Sequence, residues 1–507
     1  MGWLTFALAL SLFAALTAPS LLESEQELFP DPDASEYLAG AVGILGSRGH
    51  AIPLGEEWHP SRYPPGYSLL IAGAVSAGAA LRSAPFLVSV VCGFLMVVLG
   101  FLSGCTRGRW VSGGLVALLL ASSPALIVLS RSPMSDAPAA LYVLAAFLAL
   151  SRSTESPGPG WGVLAAVCLG LAITTRISSV LFVPLLSLAV LGWPASSAQR
   201  VRRWLEMHAA LLVSLVPLLA SNVASFGRPL GGGYAYWAPE YAEIGSAFGL
   251  EHLPMQSRLL LREMLQMEWR TSLASHYAAG SYFGPASVAL LVWTIARPGL
   301  GRSDGLLLLG AGLYAAAMSL YFYPDVRFYC PALMCALVVV ARRVESDWTR
   351  GGRPFVVSVV LVLAHVGGLP GPRSLSGTLD LARSGPGARS EIDAATDELR
   401  GLPPGLVFTD QNPVFVRVLL GEEWRVLPAG DHHLYAQNPT VFRADAGVRR
   451  DAVQRALANR TPVYHLSSDG EDGRAAPIAG LPARHWATVA GGRAGSGVRI
   501  EQLQPQR

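Results

Sequence analysis

The sequence predicts an α-helical polytopic membrane protein with about eleven spans and a small C-terminal α/β domain on the extracytoplasmic side. Of its 507 residues, 51% are hydrophobic and only 14% are charged. Soluble domains carry about 25% charged residues, so this composition indicates a chain that lies mostly in lipid. Long apolar stretches recur as far as residue 370. The pattern changes after that point, which predicts a transmembrane domain at 1–370 and a second domain at 371–507.

Charge-free apolar stretches define the predicted spans, since a helix needs about 20 apolar residues to cross a bilayer. Stretch 3–21 lacks the basic start of a signal peptide, so we interpret it as a first span that is retained as an anchor. The predicted spans are 3–21, 84–103, 112–130, 137–151, 160–175, 177–193, 208–225, 282–296, 305–322, 328–341 and 354–370.

Arginine placement decides how the apolar stretch 66–81 is interpreted. If 66–81 lies in the membrane interface and the N-terminus is cytoplasmic, the five inside loops hold 12 Arg in 51 residues. The outer loop 226–281 then holds 4 Arg in 56 residues. Because basic residues favour the cytoplasmic side of the plasma (inner) membrane, we predict this orientation, which leaves 22–83, 226–281 and 371–507 outside. The inside loops are 104–111, 152–160, 194–207, 297–304 and 342–353.

The remaining composition argues against other classes of protein. All 38 basic residues are Arg, they are spread over short loops, and the net charge is only +3, so we expect no nucleic-acid partner. The five cysteines form no CxxC pair, which argues against a disulfide framework or a zinc site. In the tail, a strand at 406–408, helices at 413–420 and 449–458, and a strand at 463–466 predict the small α/β domain.

Three carboxylates in the first outer loop are the leading candidates for chemistry. Asp33 and Tyr37 are four residues apart and share one face of a helix. The acidic residues also suit the first turn of an ordinary capped helix. As a general base, Asp33 would have to lie within hydrogen-bond reach of an attacking hydroxyl. Asp31 and Glu36 are weaker candidates for the base, and the alternative for each is to bind a cation or to position an acceptor.

The Arg-Tyr-Pro-Pro-Gly-Tyr sequence at 62–67 closes the same loop. Its prolines alone explain a rigid turn before a helix. Tyr63 and Tyr67, with Tyr37, are candidate acceptor-binding or auxiliary residues.

Three further outer turns carry charged residues. Asp136, after the sequence Ser-Arg-Ser-Pro-Met-Ser at 130–135, either caps a helix or is a second active-site carboxylate aided by Arg131. Arg176 either snorkels to the interface or binds phosphate, for which its fork of donors is suited. Arg327 either forms a local ion pair with Asp325 or binds a lipid phosphate. The candidates for the donor phosphate are thus Arg176, Arg327 and Arg131.

Five short stretches occur in order along residues 1–340, on the side predicted to be outside. They are Asp33-x3-Tyr37, Arg62-Tyr63-Pro64-Pro65-Gly66-Tyr67-Ser68-Leu69-Leu70, the stretch 130–136, Gly170-Leu171-Ala172-x3-Arg176, and Asp325-Val326-Arg327-Phe328-x2-Pro331. This set resembles the GT-C class of bacterial membrane glycosyltransferases, related to protein mannosyltransferases and to the aminoarabinose transferase of lipid A. The tail lies outside the resemblance.

The resemblance implies an inverting glycosyltransferase that uses a polyprenyl-phosphate-linked sugar as donor and a glycan, lipid or protein as acceptor. It implies that Asp33 is the base, that Asp136 is the second carboxylate, and that Arg176 lies near the lipid phosphate. Members of the class differ in metal dependence, so no cofactor is firmly implied and a divalent metal stays open. The aminoarabinose transferase type has an acidic residue shortly before its second span. This chain has Arg82 there, which argues against that donor.

Three other classes of membrane protein compete with this interpretation. A non-catalytic sensor would use the tail as its binding module, but the tail has no obvious site. A transporter or flippase for a lipid-linked glycan usually has polar residues at the midplane and repeated broken helices. Here the charged residues cluster at one face and no repeat is evident. An O-antigen ligase or polymerase would use similar Arg residues, but not the acidic loop before Pro-Pro.

Overall fold

The computed structural model describes residues 2–18, 33–105, 108–155, 159–191, 196–239, 247–265, 285–297, 299–367, 391–430, 434–468, 486–491 and 498–503. These residues belong to two compact units. The first unit consists of Met1–Leu22, Pro85–Leu218 and Glu243–Gly385. The second consists of Glu23–Ala84, Leu219–Ala242 and Pro386–Arg507, so it joins the first outer loop to the C-terminal residues. The linear division of the chain at residue 370 stays a prediction.

The chain is mainly helical. In chain order the helices are α1 (Gly2–Thr17), α2 (Asp33–Leu45), α3 (Gly66–Ser76), α4 (Ala84–Cys105), α5 (Trp110–Ala121), α6 (Pro124–Arg131), α7 (Asp136–Glu155), α8 (Pro159–Thr175), α9 (Val183–Leu191), α10 (Ser197–Ser214), α11 (Val216–Phe226), α12 (Gly233–Trp237), α13 (Leu253–Leu265), α14 (Pro285–Ile295), α15 (Arg302–Met318), α16 (Cys330–Arg350), α17 (Gly352–Gly367), α18 (Glu391–Arg400), α19 (Pro413–Leu420) and α20 (Ala446–Ala458). Short 3-10 helices lie at Ile177–Phe182, Leu250–His252, Val326–Tyr329 and Leu434–Gln437.

Seven strands occur among the described residues of the second unit. They are β1 (Ala51–Leu54), β2 (Glu57–Pro60), β3 (Leu406–Thr409), β4 (Arg425–Pro428), β5 (Val463–Ser468), β6 (Trp486–Gly491) and β7 (Val498–Leu503).

Two central helices organise the first unit. Helices α7 and α16 contribute buried side chains to both of its apolar cores. One core adds residues of α1, α4 and α5, and the other adds residues of α8, α9 and α15. Glycine permits close packing in places, since a side chain at Gly114 of α5 would meet the carbonyl oxygen of Gly2 in α1 at 2.8 Å. Small residues at such contacts are how helices associate closely in lipid.

A helix lies within every predicted span. Among the described residues, two helices are long and apolar enough to cross a bilayer, at Ala84–Gly104 and Asp136–Thr154. Two bent pairs also qualify if each counts as one span, which makes up to 4. The pair α5 and α6 bends by 59° where Pro124 begins the second helix, because proline cannot continue the hydrogen bonding of the helix before it. The pair α10 and α11 bends by 46°. The number of spans therefore stays a prediction.

The C-terminal part of the second unit is a five-stranded mixed sheet in the order β4-β3-β5-β7-β6. Strands β4, β3 and β5 are parallel, while β7 runs antiparallel to both β5 and β6. Helices α18 and α19 cover one face and α20 covers the other. The local sequence fixes where α19 begins. Asn412 caps this helix, because its side chain accepts hydrogen bonds from the backbone N–H groups of Val414 and Phe415 at 2.9 and 3.1 Å. The structure has a strand or helix at each of the four positions predicted between 406 and 466, and α20 begins at Ala446, three residues before its predicted start.

The first outer loop and the segment Leu219–Ala242 build the rest of the second unit. Helices α2 and α3 pack together, and the hairpin of β1 and β2 follows α2. The hairpin turns at Gly55, whose φ of 64° is a conformation that favours glycine. Helix α3 lies within the stretch 66–81 for which the sequence predicts an interfacial helix.

Candidate active site

Asp33, the predicted base, is the half-buried first residue of α2. Its carboxylate accepts a hydrogen bond from the hydroxyl of Tyr63, which lies between β2 and α3. Burial raises the pKa of Tyr63 well above its ordinary value, and the charge of Asp33 adds to the rise. The Tyr63 hydroxyl therefore keeps its proton at neutral pH and fixes the orientation of the carboxylate. The structure thus brings two predicted site residues into contact.

Tyrosine rings surround this contact. Tyr37 lies 4.9 Å from Tyr63 and 5.1 Å from Tyr67, measured between ring centroids. The ring of Tyr234, in α12, meets Tyr63 edge to face at 5.9 Å. All three tyrosines predicted for the site are therefore together. Tyr234 joins them from a segment that the sequence does not assign to it.

A glycine explains how α12 reaches this loop. A side chain at Gly233 would overlap the carbonyl oxygen of Ser61 and the backbone of Arg62. The backbone of α12 therefore lies directly against the backbone that carries Tyr63. The sequence suggests the Gly-rich stretch 231–233 only as a weak phosphate cradle, whereas the structure gives Gly233 a packing role. The sequence signal for this packing role is a glycine, Gly233, directly before the aromatic residue Tyr234.

Gly233→Ala is expected to destabilise the second unit by about 3 kcal/mol, because the added methyl group has no room and backbone must move. Thermal unfolding of the purified full chain measures the loss. Gly232→Ala is the matched control, since the added carbon would meet nothing within 4 Å and its φ of −142° suits any residue. Placing alanine at this helix cap should cost at most about 1 kcal/mol. Equal melting of the two variants would contradict the packing role.

Glu36 is the buried counterion of Arg62. The backbone N–H of Arg62 donates to Oε2 of Glu36 at 3.1 Å, and the guanidinium Nε lies 3.7 Å from Oε1. Glu36 is 0% exposed and Arg62 is 7% exposed. Burial raises the pKa of Glu36 to about 7, although the Arg62 charge opposes the rise. The sequence names Glu36 only as a weak candidate and leaves Arg62 out of the site, because the pairing joins residues 26 positions apart.

Asp136 and Arg176 form a buried ion pair in the first unit. Asp136 begins α7, and Arg176 directly follows α8. Arg176 Nη1 lies 2.6 Å from Asp136 Oδ1, with the side chains 15% and 2% exposed. The structure therefore joins two residues to which the sequence gives separate roles in catalysis and phosphate binding.

A second Arg–Asp pair lies beside the first. Arg327 Nε lies 2.7 Å from Asp325 Oδ2, and Asp325 also accepts from the Arg327 backbone at 2.9 Å. The guanidinium carbons of Arg176 and Arg327 lie 4.8 and 5.4 Å from the ring centre of Phe328. Two arginines predicted to bind phosphate thus share one aromatic ring, and each has its own carboxylate. The local ion pair considered for Arg327 is present, and the phosphate role stays a prediction.

Two predicted site residues remain. Arg131 is the half-buried last residue of α6, and Asp31 lies outside the described residues. Within the described part of the chain, no group of three or more His, Cys, Asp or Glu side chains is placed to hold a metal ion.

Residues 62–223 match the model of the dolichyl-phosphate-mannose-protein mannosyltransferase family, which is about a third of the chain. No curated protein sequence matches the chain.

Several solved structures share its fold. ArnT from Cupriavidus metallidurans bound to undecaprenyl phosphate is 15% identical with a TM-score of 0.65, and the match covers 100% of this chain and 99% of that chain. The oligosaccharyltransferase of Archaeoglobus fulgidus is 11% identical with a TM-score of 0.52, covering 92% of this chain and 69% of that one. The mycobacterial arabinofuranosyltransferase AftD is 13% identical with a TM-score of 0.56, covering 100% and 41%. The family match over residues 62–223 and the shared fold confirm the resemblance to membrane glycosyltransferases of the GT-C class.

Proposed function

We propose that this protein transfers a sugar from a polyprenyl-phosphate donor to a hydroxyl group of an extracytoplasmic glycan, lipid or protein, with inversion at the anomeric carbon. The observation that carries the proposal is the Asp33 carboxylate held by the Tyr63 hydroxyl at the start of α2. A half-buried carboxylate with a fixed orientation is the arrangement that a general base requires.

The chemistry follows from one displacement. Asp33 takes the proton of the acceptor hydroxyl while the hydroxyl oxygen attacks the anomeric carbon. The bond between that carbon and the phosphate oxygen breaks, and its electron pair leaves with the polyprenyl phosphate. Because attack and departure occur on opposite faces of the carbon, the configuration inverts.

The departing phosphate gains negative charge, which nearby cations stabilise. Arg176 and Arg327 are the proposed cations, since guanidinium groups match phosphate oxygens with a planar fork of donors. Their carboxylate partners, Asp136 and Asp325, hold both groups in place before the donor binds. The neighbour from Cupriavidus metallidurans, bound to undecaprenyl phosphate, supports a polyprenyl phosphate as the donor's carrier.

A transfer assay with the purified full chain in lipid nanodiscs tests the function. The probes are a panel of undecaprenyl-phosphate sugars carrying a labelled sugar, with an envelope extract as acceptor. We expect one or more of these donors to label the extract, and NMR of the product to give the anomeric configuration opposite to that of the donor. Retained configuration would contradict direct displacement. Activity with nucleotide sugars alone would contradict the lipid donor.

A further inference from the structure

The C-terminal residues and the first outer loop share a buried core within the second unit. Its members come from α2, the hairpin, α12, α19 and the 3-10 helix Leu434–Gln437. They are Ala39, Ile52, Leu54, Trp237, Val414 and Tyr435. Polar contacts join the same segments beside this core. The Gly55 N–H donates to the Val426 carbonyl at 3.2 Å, and Arg425 Nη1 lies 3.0 Å from Glu56 Oε1. The helix that carries Asp33 is therefore packed directly on the C-terminal α/β residues.

Tyr435 is the member of this core that meets the buried ion pair. It is 0% exposed, and its ring centre lies 5.7 Å from the guanidinium carbon of Arg62. Its ring also packs against Trp237 edge to face at 5.4 Å. Burial is the main influence on the pKa of Glu36 and raises it, whereas the nearby Tyr435 hydroxyl lowers it.

A short path leads from Tyr435 to the base. Glu36 lies one helical turn after Asp33 on α2 and accepts from the Arg62 backbone. Arg62 is followed directly by Tyr63, whose hydroxyl donates to Asp33. Glu36 and Arg62 therefore set the position of the Tyr63 backbone, and Tyr435 packs on the guanidinium end of that pair.

We propose that Tyr435 is a positioning residue for the base, through which the C-terminal α/β domain holds the Glu36–Arg62 pair and thereby fixes the contact between Tyr63 and Asp33. This inference rests on the proposed function, because it assumes that Asp33 is the base. It gives the C-terminal domain, which carries none of the short sequence motifs of the resemblance, a defined role in the reaction.

Positioning through Glu36 has a consequence for pH dependence. The groups that act on Glu36 are Arg62, Asp33 and Tyr435. As Glu36 ionises near pH 7, it gains the negative charge that pairs with Arg62, which holds the Tyr63 backbone in place, so kcat rises with pH in that range. Removing the Tyr435 hydroxyl takes away a group that lowers the pKa of Glu36 and so favours its ionised form. The inflection should therefore move to higher pH, and in Glu36→Gln it should disappear.

Tyr435→Phe tests the proposal, with Tyr464→Phe as its matched control. Tyr464 is also a buried tyrosine of the C-terminal sheet, but its hydroxyl donates to the Pro403 carbonyl at 3.1 Å, away from α2. We expect Tyr435→Phe to lower kcat by about 10-fold, since small misplacements of a reacting group are costly, while the KM values change little. Tyr464→Phe should leave kcat and the pH profile unchanged.

Hydrogen–deuterium exchange of the full chain gives a readout that is independent of activity. In Tyr435→Phe the peptides that cover Asp33–Leu45 should exchange faster than in the wild type, whereas in Tyr464→Phe they should not. Identical exchange and identical pH profiles in the two variants would overturn the positioning role. If the wild type transfers sugar from no donor, the proposed function fails, and the exchange comparison still decides whether Tyr435 holds α2.

Discussion

Asp33→Asn is expected to lower the rate of sugar transfer by about 10³-fold, within the range that a general base contributes. Asparagine cannot take a proton from the acceptor hydroxyl. Its amide oxygen can still accept the hydrogen bond from Tyr63, so the fold and substrate binding should persist. Single-turnover transfer of labelled sugar, with donor and enzyme premixed, measures the chemical step directly.

Tyr63→Phe separates the base from its support. This variant keeps the Asp33 carboxylate and loses only the hydroxyl that orients it. Its rate should fall by only about 10-fold, because the proton acceptor remains. A rate for Asp33→Asn within tenfold of the wild type would contradict the assignment of Asp33 as the base.

Asp136→Asn should destabilise the first unit by about 3–5 kcal/mol, the cost of leaving a buried charge without its partner. Arg176 lies 2.6 Å from Asp136, and only 15% of its side chain is exposed, so water cannot replace the carboxylate fully. Thermal unfolding of the purified protein measures the effect.

The double variant Asp136→Asn with Arg176→Gln distinguishes structure from substrate binding. With both charges removed, most of the lost stability should return, because no unpaired charge remains. Donor binding should stay weak, since the proposed phosphate ligand is gone. Full donor affinity in the double variant would contradict a phosphate role for Arg176, and unchanged melting of Asp136→Asn would contradict the buried pair.

The sequence predicted the helical elements more completely than the short irregular ones. Apolar stretches long enough to cross a bilayer can be read directly, and each contains a helix. The hairpin of β1 and β2 was missed because Pro53 and Pro60 lie in its strands, and proline cannot donate to a strand ladder. Helix α12 was missed because the glycines at 231–233 favour a flexible turn when considered alone.

Contacts within the candidate site were predictable where the residues are close in sequence. The spacing of Asp33 and Tyr37 placed both on one helix, and the short Tyr-Pro-Pro turn identified Tyr63. The pairing of Glu36 with Arg62, and of Asp136 with Arg176, depends on how helices pack. Spacing along the chain carries no signal for such contacts. Tyr435 was the hardest of these residues to predict, since it lies in a tail that carries none of the sequence motifs of the resemblance.

The most direct test of sugar transfer from a polyprenyl phosphate is the release of free undecaprenyl phosphate by the purified protein, measured alongside the labelled sugar that reaches the acceptor. With the wild type we expect the two quantities to be equimolar at every time point. With Asp33→Asn we expect neither to rise above background. Equal release by both proteins, or labelled acceptor without free undecaprenyl phosphate, would contradict transfer by Asp33-dependent displacement.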